Sequence, residues 1–231
     1  MGDAMDPLAN PIWESLSSHQ SHYAEISGDA RRFPPEVTLL AGFPEPTPEN
    51  FASLMKLQAD GSPCALFLER VIEPPPGWRV YMTGSLFQMV AVKEPPLPEL
   101  PEGLVELGDA DVPEMVALAT LTKPGPFATR TRELGYFVGA RREGRLAAMA
   151  GERMRVGKFV EVSAVCTHPD FLGRGLAGSL MSVVMRRMRA RGETPFLHVL
   201  QQNTRAVDLY KRLGFEVSRQ FELLVILPLR D

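Results

Sequence analysis

Three glycines in the second half of the chain have the spacing of an anion-binding loop. Gly173, Gly175 and Gly178 follow an apolar, β-branched run and precede an amphipathic segment, so Val162–Gly178 predicts a strand, a tight turn and the start of a helix. Glycine lets the backbone turn sharply and approach a ligand closely. The first turn of a helix offers unpaired N–H groups and the positive end of its dipole. The stretch therefore predicts a phosphate-binding site.

Two other glycine-rich loops also bind phosphate, and each has its own requirements. A P-loop needs a lysine and then a serine or threonine after its last glycine, and these do not follow here. A dinucleotide-binding loop needs Gly-x-Gly-x-x-Gly between a strand and a helix, and the three glycines satisfy that spacing. The strands before the loop have the pattern of antiparallel hairpins rather than of a strand-helix-strand unit. This pattern argues against a dinucleotide-dependent enzyme, but the glycine spacing keeps it as a further alternative.

The elements that position this loop follow a regular order. We predict strand Gly103–Leu107, a helix capped by Asp111 and ending near Thr120, helical turns at Ala128–Leu134, strands Tyr136–Arg141, Arg145–Arg155 and Phe159–Thr167, helix Leu176–Arg191, strand Phe196–Leu200, a helix capped by Asn203, and strand Phe215–Leu227. Glu114, three positions after Asp111, completes the pattern of a capping box. Glu143-Gly144 is typical of a hairpin turn. The order predicts three consecutive antiparallel strands before the glycine loop.

The first half of the chain predicts a smaller α/β region. Its expected elements are a helix at Ile12–Tyr23, a strand at Val37–Ala41, a helix begun by Thr47 and Pro48, and strands at Cys64–Leu68 and Trp78–Val92. Four prolines lie between Glu94 and Pro101, and proline at this density favours a stiff connector. We therefore expect an N-terminal α/β region at 1–94, a connector at 95–102 and a second domain at 103–231.

Composition and charge exclude several classes of protein. The chain has 231 residues, of which 45% are hydrophobic and 23% charged, as in ordinary globular proteins. A net charge of −3 provides no global attraction to nucleic acid or to an anionic membrane. No apolar run approaches the roughly 18 residues of a membrane helix, and the acidic N-terminus lacks the basic segment of a secretory signal. With only two cysteines, Cys64 and Cys166, we expect a cytoplasmic protein with reduced thiols.

Three sequence signals, in order, resemble one enzyme family. They are Cys166-Thr167-His168-Pro169, then Leu172-Gly173-Arg174-Gly175-Leu176-Ala177, and then Asn203-Thr204-Arg205-Ala206-Val207-Asp208-Leu209-Tyr210-Lys211-Arg212-Leu213-Gly214-Phe215. Over about residues 103–228 the chain resembles the GNAT superfamily of acyl-CoA-dependent N-acetyltransferases, in a bacterial-type form with an additional N-terminal domain. The family's loop pattern begins with Gln or Arg, and Leu172 departs from it there. One interpretation of the N-terminal region is a degenerate second module of the same type.

The resemblance implies a fold, an activity and a cosubstrate. The fold class is α/β (α+β), with a mixed, mainly antiparallel central sheet flanked by helices. The activity is direct transfer of an acetyl group from acetyl-CoA to a primary amine within a ternary complex. The residues expected to bind coenzyme A are Val165, Cys166, Thr167, Leu172, Gly173, Arg174, Gly175, Leu176, Ala177, Gly178, Asn203 and Ala206. The alternative function is a non-catalytic acyl-CoA-binding sensor module.

The resemblance also implies a catalytic acid. Tyr210 matches the position of the family's tyrosine, which protonates the departing thiolate. The other interpretation is a core tyrosine, because Tyr210 shares a helix face with Ala206 and Leu213.

A catalytic base is implied on the strand before the glycine loop. Glu161 matches the position of the glutamate base in histone-acetylating members, and Glu152 on the preceding strand is the reserve base. Strand alternation places Glu161 on the same face as Ser163 and opposite Ala164, so an outward-facing, non-catalytic carboxylate is the other interpretation. His198, within an apolar strand, is interpreted as a core histidine.

In GNAT-like folds, the segment between the first two helices covers the acceptor site. That segment is Leu121–Leu134 here, so the acceptor site is expected beneath it. Phe127, Arg130 and Arg132 are the side chains expected to set selectivity. The expected partner is a small-molecule or peptide amine, with a homodimer as one alternative for the assembly. Neither nucleic acid nor a membrane is expected as a partner. No metal is expected either, because His19 and His22 lie close together without a carboxylate or cysteine partner at metal-ligand spacing.

Overall fold

A computed structural model of the chain describes residues 6–95, 97 and 100–229. Its helices are α1 (Pro11–Ser17), α2 (Pro48–Leu57), α3 (Val112–Thr122), α4 (Leu176–Ala190) and α5 (Thr204–Arg212). Its strands are β1 (Glu25–Ser27), β2 (Ala30–Arg32), β3 (Ala41–Gly42), β4 (Cys64–Leu68), β5 (Trp78–Ala91), β6 (Leu104–Glu106), β7 (Phe137–Arg142), β8 (Arg145–Val156), β9 (Phe159–Thr167), β10 (Thr194–Leu200) and β11 (Phe215–Pro228).

Eight strands form one large sheet in the order β4-β11-β5-β10-β9-β8-β7-β6. Within the described residues, β9 and β10 are its parallel pair, and all other neighbours in it are antiparallel. β1, β2 and β3 form a separate small sheet. The predicted fold class, a mixed and mainly antiparallel sheet flanked by helices, is confirmed. Only β9 and β10 are parallel among the described strands of the large sheet, whereas a dinucleotide-binding domain is built on a mostly parallel sheet, so that alternative is wrong.

One face of the sheet is covered by α4 and α5. The apolar residues of α4 recur every four positions, and Leu180, Val184 and Met188 are fully buried against Val160 and Leu197 of the sheet. Complete burial of each such side chain contributes about 1.5–3 kcal/mol. This packing fixes the start of α4, and therefore the glycine loop, against the end of β9.

The opposite face is covered by the N-terminal segment and by α3. Ile12 and Leu16 of α1 pack in one buried cluster with Met154 and Phe196 of the large sheet. α3 adds a neighbouring cluster around Met115 and the inner residues of β8 and β9. The N-terminal segment is thus a structural layer over the same sheet.

Strands from both sides of the predicted connector pair directly. β5 precedes the connector, yet it lies between β11 and β10, with Leu86–Val90 opposite Phe196–Leu200. β4, also from the N-terminal half, pairs with β11 at the sheet edge. The division into 1–94, 95–102 and 103–231 stays a prediction, and part of it lies outside the described residues. The sheet itself runs across this division.

Several predicted elements and caps are confirmed. β4 and β9 have the predicted ends, and α4 begins at the predicted Leu176. Thr47 caps α2, because its side-chain oxygen accepts a hydrogen bond from the Asn50 backbone N–H at 3.3 Å. Asn203 caps α5 in the same way, accepting from the Ala206 N–H at 3.2 Å.

Three predicted segments are wrong in extent or type. The strand predicted at Val37–Ala41 is a turn followed by the short β3. The helix predicted at Ile12–Tyr23 ends at Ser17, and a separate 3₁₀ turn follows. The helical turns predicted at Ala128–Leu134 shrink to a 3₁₀ turn at Thr131–Leu134. These segments dock onto other parts of the chain, and such long-range contacts outweigh local propensity.

The predicted capping box at α3 is also wrong. Asp111 makes no side-chain cap bond to α3. Its carboxylate instead accepts from the Gly108 N–H at 2.8 Å and from Arg141 at 2.6 Å. Glu114 also pairs with Arg141, at 2.5 Å, so the two acidic residues anchor β7 to the start of α3.

Candidate functional site

The parallel strands β9 and β10 pair only at their beginnings. Their register runs from Phe159 opposite Thr194 to Glu161 opposite Phe196. β9 continues to Thr167 and β10 to Leu200, and over these stretches the described residues form no ladder between the two strands. The two strands therefore enclose a gap whose walls are backbone edges. Unpaired backbone N–H and C=O groups of this kind are obligatory hydrogen-bonding groups that a ligand can satisfy.

A bulge lies in β9 beside this gap. Met149 pairs with Cys166 and Gly151 with Ser163, so β9 carries one residue more than β8 between these pairs. Ala164 has φ of 53°, in the left-handed region that is unfavourable for a residue with a side chain. Backbone strain of this kind is concentrated at functional sites.

The bulge also changes which side chains of β9 share a face of the sheet, compared with the simple alternation expected from the sequence. Val162 packs in the cluster under α4, whereas Ala164 and Cys166 pack in the cluster against α3. Without the extra residue, all three would lie on one face. The strand therefore changes its facing where it borders the gap.

The glycine loop adjoins the end of β9 through a 3₁₀ turn at Pro169–Phe171. Gly173 and Gly175 have φ of 78° and 73°, and Gly175 is the N-cap of α4 without a side-chain cap bond. A Cβ added at either glycine meets no atom within 4 Å, so the loop backbone faces open space. The loop therefore fits a phosphate group that approaches the start of α4.

Two guanidinium groups lie beside the loop, and one of them, Arg145, is paired with the carboxylates of Asp170 and Glu143. Arg174 of the loop and Arg145 of the β7–β8 hairpin both lie over the Phe171 ring, 5.2 Å and 5.1 Å from its centroid. Arg145 also donates to Asp170 at 3.2 Å. Leu172 is 48% exposed, so its side chain points away from the core. Because it is apolar, it adds no charge to the loop.

Tyr210 lies on α5, with its ring 6.1 Å from the ring of Phe215, against the core that α4 covers. Burial raises the pKa of its phenol to about 12. The phenol is therefore protonated throughout the physiological range and can act as a hydrogen donor. Its packing also fits the predicted core role, so the acid role stays a prediction.

Glu161 is completely buried and bonded on both oxygens. Arg153 donates to Oε2 and Oε1 at 2.7 Å each, and His198 Nδ1 lies 2.8 Å from Oε1. Burial opposes ionisation of Glu161, but Arg153 and His198 outweigh it and lower its pKa to about 2. A general base needs room for its substrate and a pKa near the working pH. The geometry therefore disfavours Glu161 as the base, and the alternative of an outward-facing carboxylate is wrong because its exposure is 0%.

The reserve base has a similar environment. Glu152 is 1% exposed and accepts from Arg155 at 2.6 Å and from Arg191 at 2.7 Å. Both predicted bases are thus held by arginines. Arg153 lies on the strand before Glu161, and the hairpin predicted between these two strands is the sequence signal for their pairing.

The segment Leu121–Leu134 docks onto the N-terminal half. Thr131 Oγ1 donates to the Val37 carbonyl at 2.6 Å, and Arg130 N donates to the Glu36 carbonyl at 2.8 Å. The predicted selectivity side chains have different surroundings here. Phe127 packs edge-on to Phe137 at 5.9 Å, in the cluster that contains Ala164 and Cys166.

The two arginines of this segment have protein partners. The Arg130 side chain pairs with Glu133 at 2.7 Å and with Glu36 at 3.1 Å, and Arg132 Nε donates to the Leu107 carbonyl at 3.1 Å. Of the three predicted selectivity residues, Phe127 is therefore the one that packs in the cluster with the bulged part of β9. The contacts of the two arginines are structural and do not require a substrate.

Neither a reactive thiol nor a metal cluster is found at this site. Cys166 is buried, and burial raises the pKa of its thiol to about 11, so it is a poor nucleophile near neutral pH. Within the described residues, no group of three or more His, Cys, Asp and Glu side chains is placed to hold a metal ion.

No helix in the described part of the chain has the length and apolar character to cross a bilayer.

The chain is similar to proteins of known family. The family model described as FR47-like protein matches residues 137–224. A solved structure from Novosphingobium aromaticivorans, assigned to the GNAT family of acetyltransferases, is 42% identical, and the match covers 97% of this chain and 100% of that chain with a TM-score of 0.88.

Two enzymes match over shorter lengths. Mycothiol acetyltransferase from Corynebacterium aurimucosum is 38% identical over 63 residues, which are 27% of this chain and 21% of that protein. The N-alpha-acetyltransferase RimI from Mycobacterium tuberculosis is 34% identical over 101 residues, which are 40% of this chain and 62% of that protein. The chain thus spans less than two thirds of the length of either enzyme.

Proposed function

The chain belongs to the GNAT family of acetyltransferases, and from this premise we propose that it transfers an acetyl group from acetyl-CoA to a primary amine. The observation that carries the proposal is the gap between β9 and β10, which adjoins the glycine loop at the start of α4. The single segment 162–178 thus contains both the open edge of β9 and the glycine loop.

Acetyl-CoA supplies the acetyl group as a thioester. The main chain from Gly173 to Gly178 would hold the pyrophosphate, assisted by Arg174 and its neighbour Arg145. The free edge at Val165–Thr167 would bond the amides of the pantetheine arm and stabilise negative charge on the reacting carbonyl. The main-chain contacts do not depend on the side chain at position 172, so they tolerate Leu172 where the family pattern has Gln or Arg.

Two other residues predicted to contact coenzyme A lie at the start of α5. Asn203 and Ala206 are bonded to each other in the cap of that helix, which positions Tyr210 one and two turns further along. We propose that Tyr210 protonates the thiolate, since its pKa of about 12 keeps it in the donor form.

The amine's proton leaves to solvent rather than to Glu161. Both Glu161 and Glu152 are buried in ion pairs, so neither has a free oxygen edge towards an acceptor. Only the unprotonated fraction of the amine would then react. Phe127 would contact the acceptor from its position beside the bulge. A free α-amine on a peptide is the first acceptor to examine, because one of the related enzymes is an N-alpha-acetyltransferase.

A non-catalytic acyl-CoA-binding module is the second candidate function. The paired state of both predicted bases favours it, because no carboxylate near the gap is available for proton transfer among the candidates. A cytoplasmic location stays a prediction under either function.

One pair of measurements decides between the two functions. A thiol-release assay with acetyl-CoA and a panel of amines and peptides measures transfer, and titration calorimetry with coenzyme A measures binding. Amine-dependent thiol release supports the enzyme. Tight binding without turnover on any acceptor supports the sensor module, and no binding contradicts both.

A further inference from the structure

Buried side chains bridge β9 and β10 at the point where the strands separate. Glu161 is the last residue of β9 in the ladder, opposite Phe196. His198 lies two residues further along β10, and its Nδ1 is 2.8 Å from Glu161 Oε1. This side-chain bond therefore extends the link between the strands beyond their last backbone pair.

The bridge is held on both sides by neighbouring strands. Arg153 of β8 donates two bonds of 2.7 Å to Glu161, and Gln88 of β5 lies 3.2 Å from His198 Nε2 through its amide nitrogen. Because the Gln88 amide nitrogen can only donate, His198 Nε2 accepts and Nδ1–H donates to Glu161. The chain of bonds thus crosses four adjacent strands, β8, β9, β10 and β5, with defined donors and acceptors.

The side chains of the bridge are sealed from water by the N-terminal layer and the sheet. The side chains of His198 and Glu161 are 2% and 1% exposed, yet His198 as a whole residue is partly exposed, so its exposure comes from main-chain atoms. The N-terminal layer covers the side chains, with the Leu8 carbonyl accepting from Gln88 and Gln20 donating to the Arg153 carbonyl. Hydrogen bonds in such a low-dielectric environment are strong and directional.

We propose that Glu161 and His198 are positioning residues that set where β9 and β10 separate, and so fix the width of the gap for the pantetheine arm of coenzyme A. Arg153 holds Glu161 in place. This inference rests on the proposed function, since it assigns the gap to that arm. Buried ionic groups often give no net stability over apolar ones, and their best-attested use is to specify one arrangement of packed elements. The arrangement specified here is the separation of two strands.

Three variants separate this role from general stability. His198→Leu places an apolar side chain among the rings of Phe67, Phe196 and Phe221 and removes the bond to Glu161. His198→Asn keeps a donor near the position of Nδ1. Gln88→Leu is the control for lost hydrogen bonds: it removes the bond to His198 Nε2 together with the Gln88 bonds to Leu8 and Ser218, and it leaves His198 Nδ1 facing Glu161.

The measurement is titration calorimetry with two probes, together with the thermal unfolding midpoint of each variant. Coenzyme A reaches both the loop and the gap, whereas adenosine 3′,5′-bisphosphate, its nucleotide part, reaches only the loop. We expect His198→Leu to weaken coenzyme A binding about tenfold, as for loss of a buried charge-assisted bond, and to leave the nucleotide probe unchanged. His198→Asn and Gln88→Leu should bind coenzyme A within about twofold of the wild type.

Two results would overturn the inference. One is wild-type affinity for coenzyme A in folded His198→Leu, and the other is an equal loss for both probes. If His198→Leu does not fold, His198→Gln replaces it, since its amide reaches towards the position of Nε2; equal coenzyme A affinity in the Gln and Asn variants would then contradict the role of Nδ1. A wild-type protein that binds neither probe would instead contradict the proposed function itself.

Discussion

Phe196 of β10 pairs with Glu161 of β9 at the last register position that the two parallel strands share, and beyond it they separate. The backbone of this pair ends the ladder, while the Glu161 side chain is buried and bonded to Arg153 and His198. The residue expected from the sequence to be the base therefore lies in a buried ion cluster where the gap begins.

Tyr210→Phe should lower kcat by about 100-fold, as expected for loss of a general acid. The KM for acetyl-CoA should change little, because the ring that packs near Phe215 is retained. Steady-state thiol release measures both constants. Tyr136→Phe is the matched control, since Tyr136 packs against the same core beneath Arg187. Undiminished kcat in Tyr210→Phe would remove Tyr210 from the mechanism.

The dependence of kcat/KM on pH should follow the acceptor amine. Without an enzyme base, activity rises as the amine loses its proton, near pH 8 for a peptide α-amine and near pH 10 for a lysine side chain. A raised pKa of about 12 keeps the Tyr210 phenol protonated as pH rises, so activity on the α-amine should stay level to about pH 10. Rate profiles on the two amines test this. A single inflection, the same for both amines, would show that a group of the enzyme titrates instead.

Glu161→Gln should lower the free energy of unfolding at pH 7 by about 3 kcal/mol, because Arg153 would be left buried without its charge partner. In the wild type, the folded-state pKa of Glu161 is about 2, below its ordinary value of 4.5. The carboxylate therefore adds stability above about pH 4.5, and this contribution is lost as pH falls towards 2. The difference between wild type and variant should narrow over that range in urea unfolding.

Glu114→Gln is the control for that series. Glu114 pairs with Arg141 at the surface, where its side chain is 44% exposed, so its loss should cost under about 1 kcal/mol. A difference between wild type and Glu161→Gln that stayed constant from pH 7 to pH 3 would contradict the assigned ion pair.

Leu172→Arg should strengthen coenzyme A binding about two- to fivefold at low salt, because it adds a cation near the start of α4 where the family pattern carries Gln or Arg. The gain should shrink as ionic strength rises, since exposed charges are screened. Leu172→Gln is the neutral control and should show no salt-dependent gain. Calorimetry at two salt concentrations tests this, and a loss of affinity in Leu172→Arg would place the phosphates away from this position.

The local parts of the fold were predictable from residue type. The apolar run Phe159–Thr167, the glycines after it and the Asn203 cap each carry a signal that depends only on nearby residues. The insertion of β5 beside β10 was not predictable, because it joins residues more than 100 positions apart and depends on packing across the whole sheet.

The site was predictable in outline but not in its electrostatics. Ala164 carries no sign of a positive φ, so the bulge and the change of face could not be read from its identity. Glu161 has the position of a family base, yet its role depends on Arg153 and His198, which only the sheet brings within bonding distance. A motif therefore locates the site, whereas the neighbours decide what each side chain can do.

The most direct test of the central claim is rapid-quench measurement of thiol release from acetyl-CoA, with and without an amine, together with the mass of protein and products. We predict that thiol release requires the amine, that each released thiol corresponds to one N-acetylated amine, and that the protein stays unmodified. Failure of every amine in the panel to release thiol, or release of one equivalent without amine and with acetylated protein, would contradict direct transfer in the gap between β9 and β10.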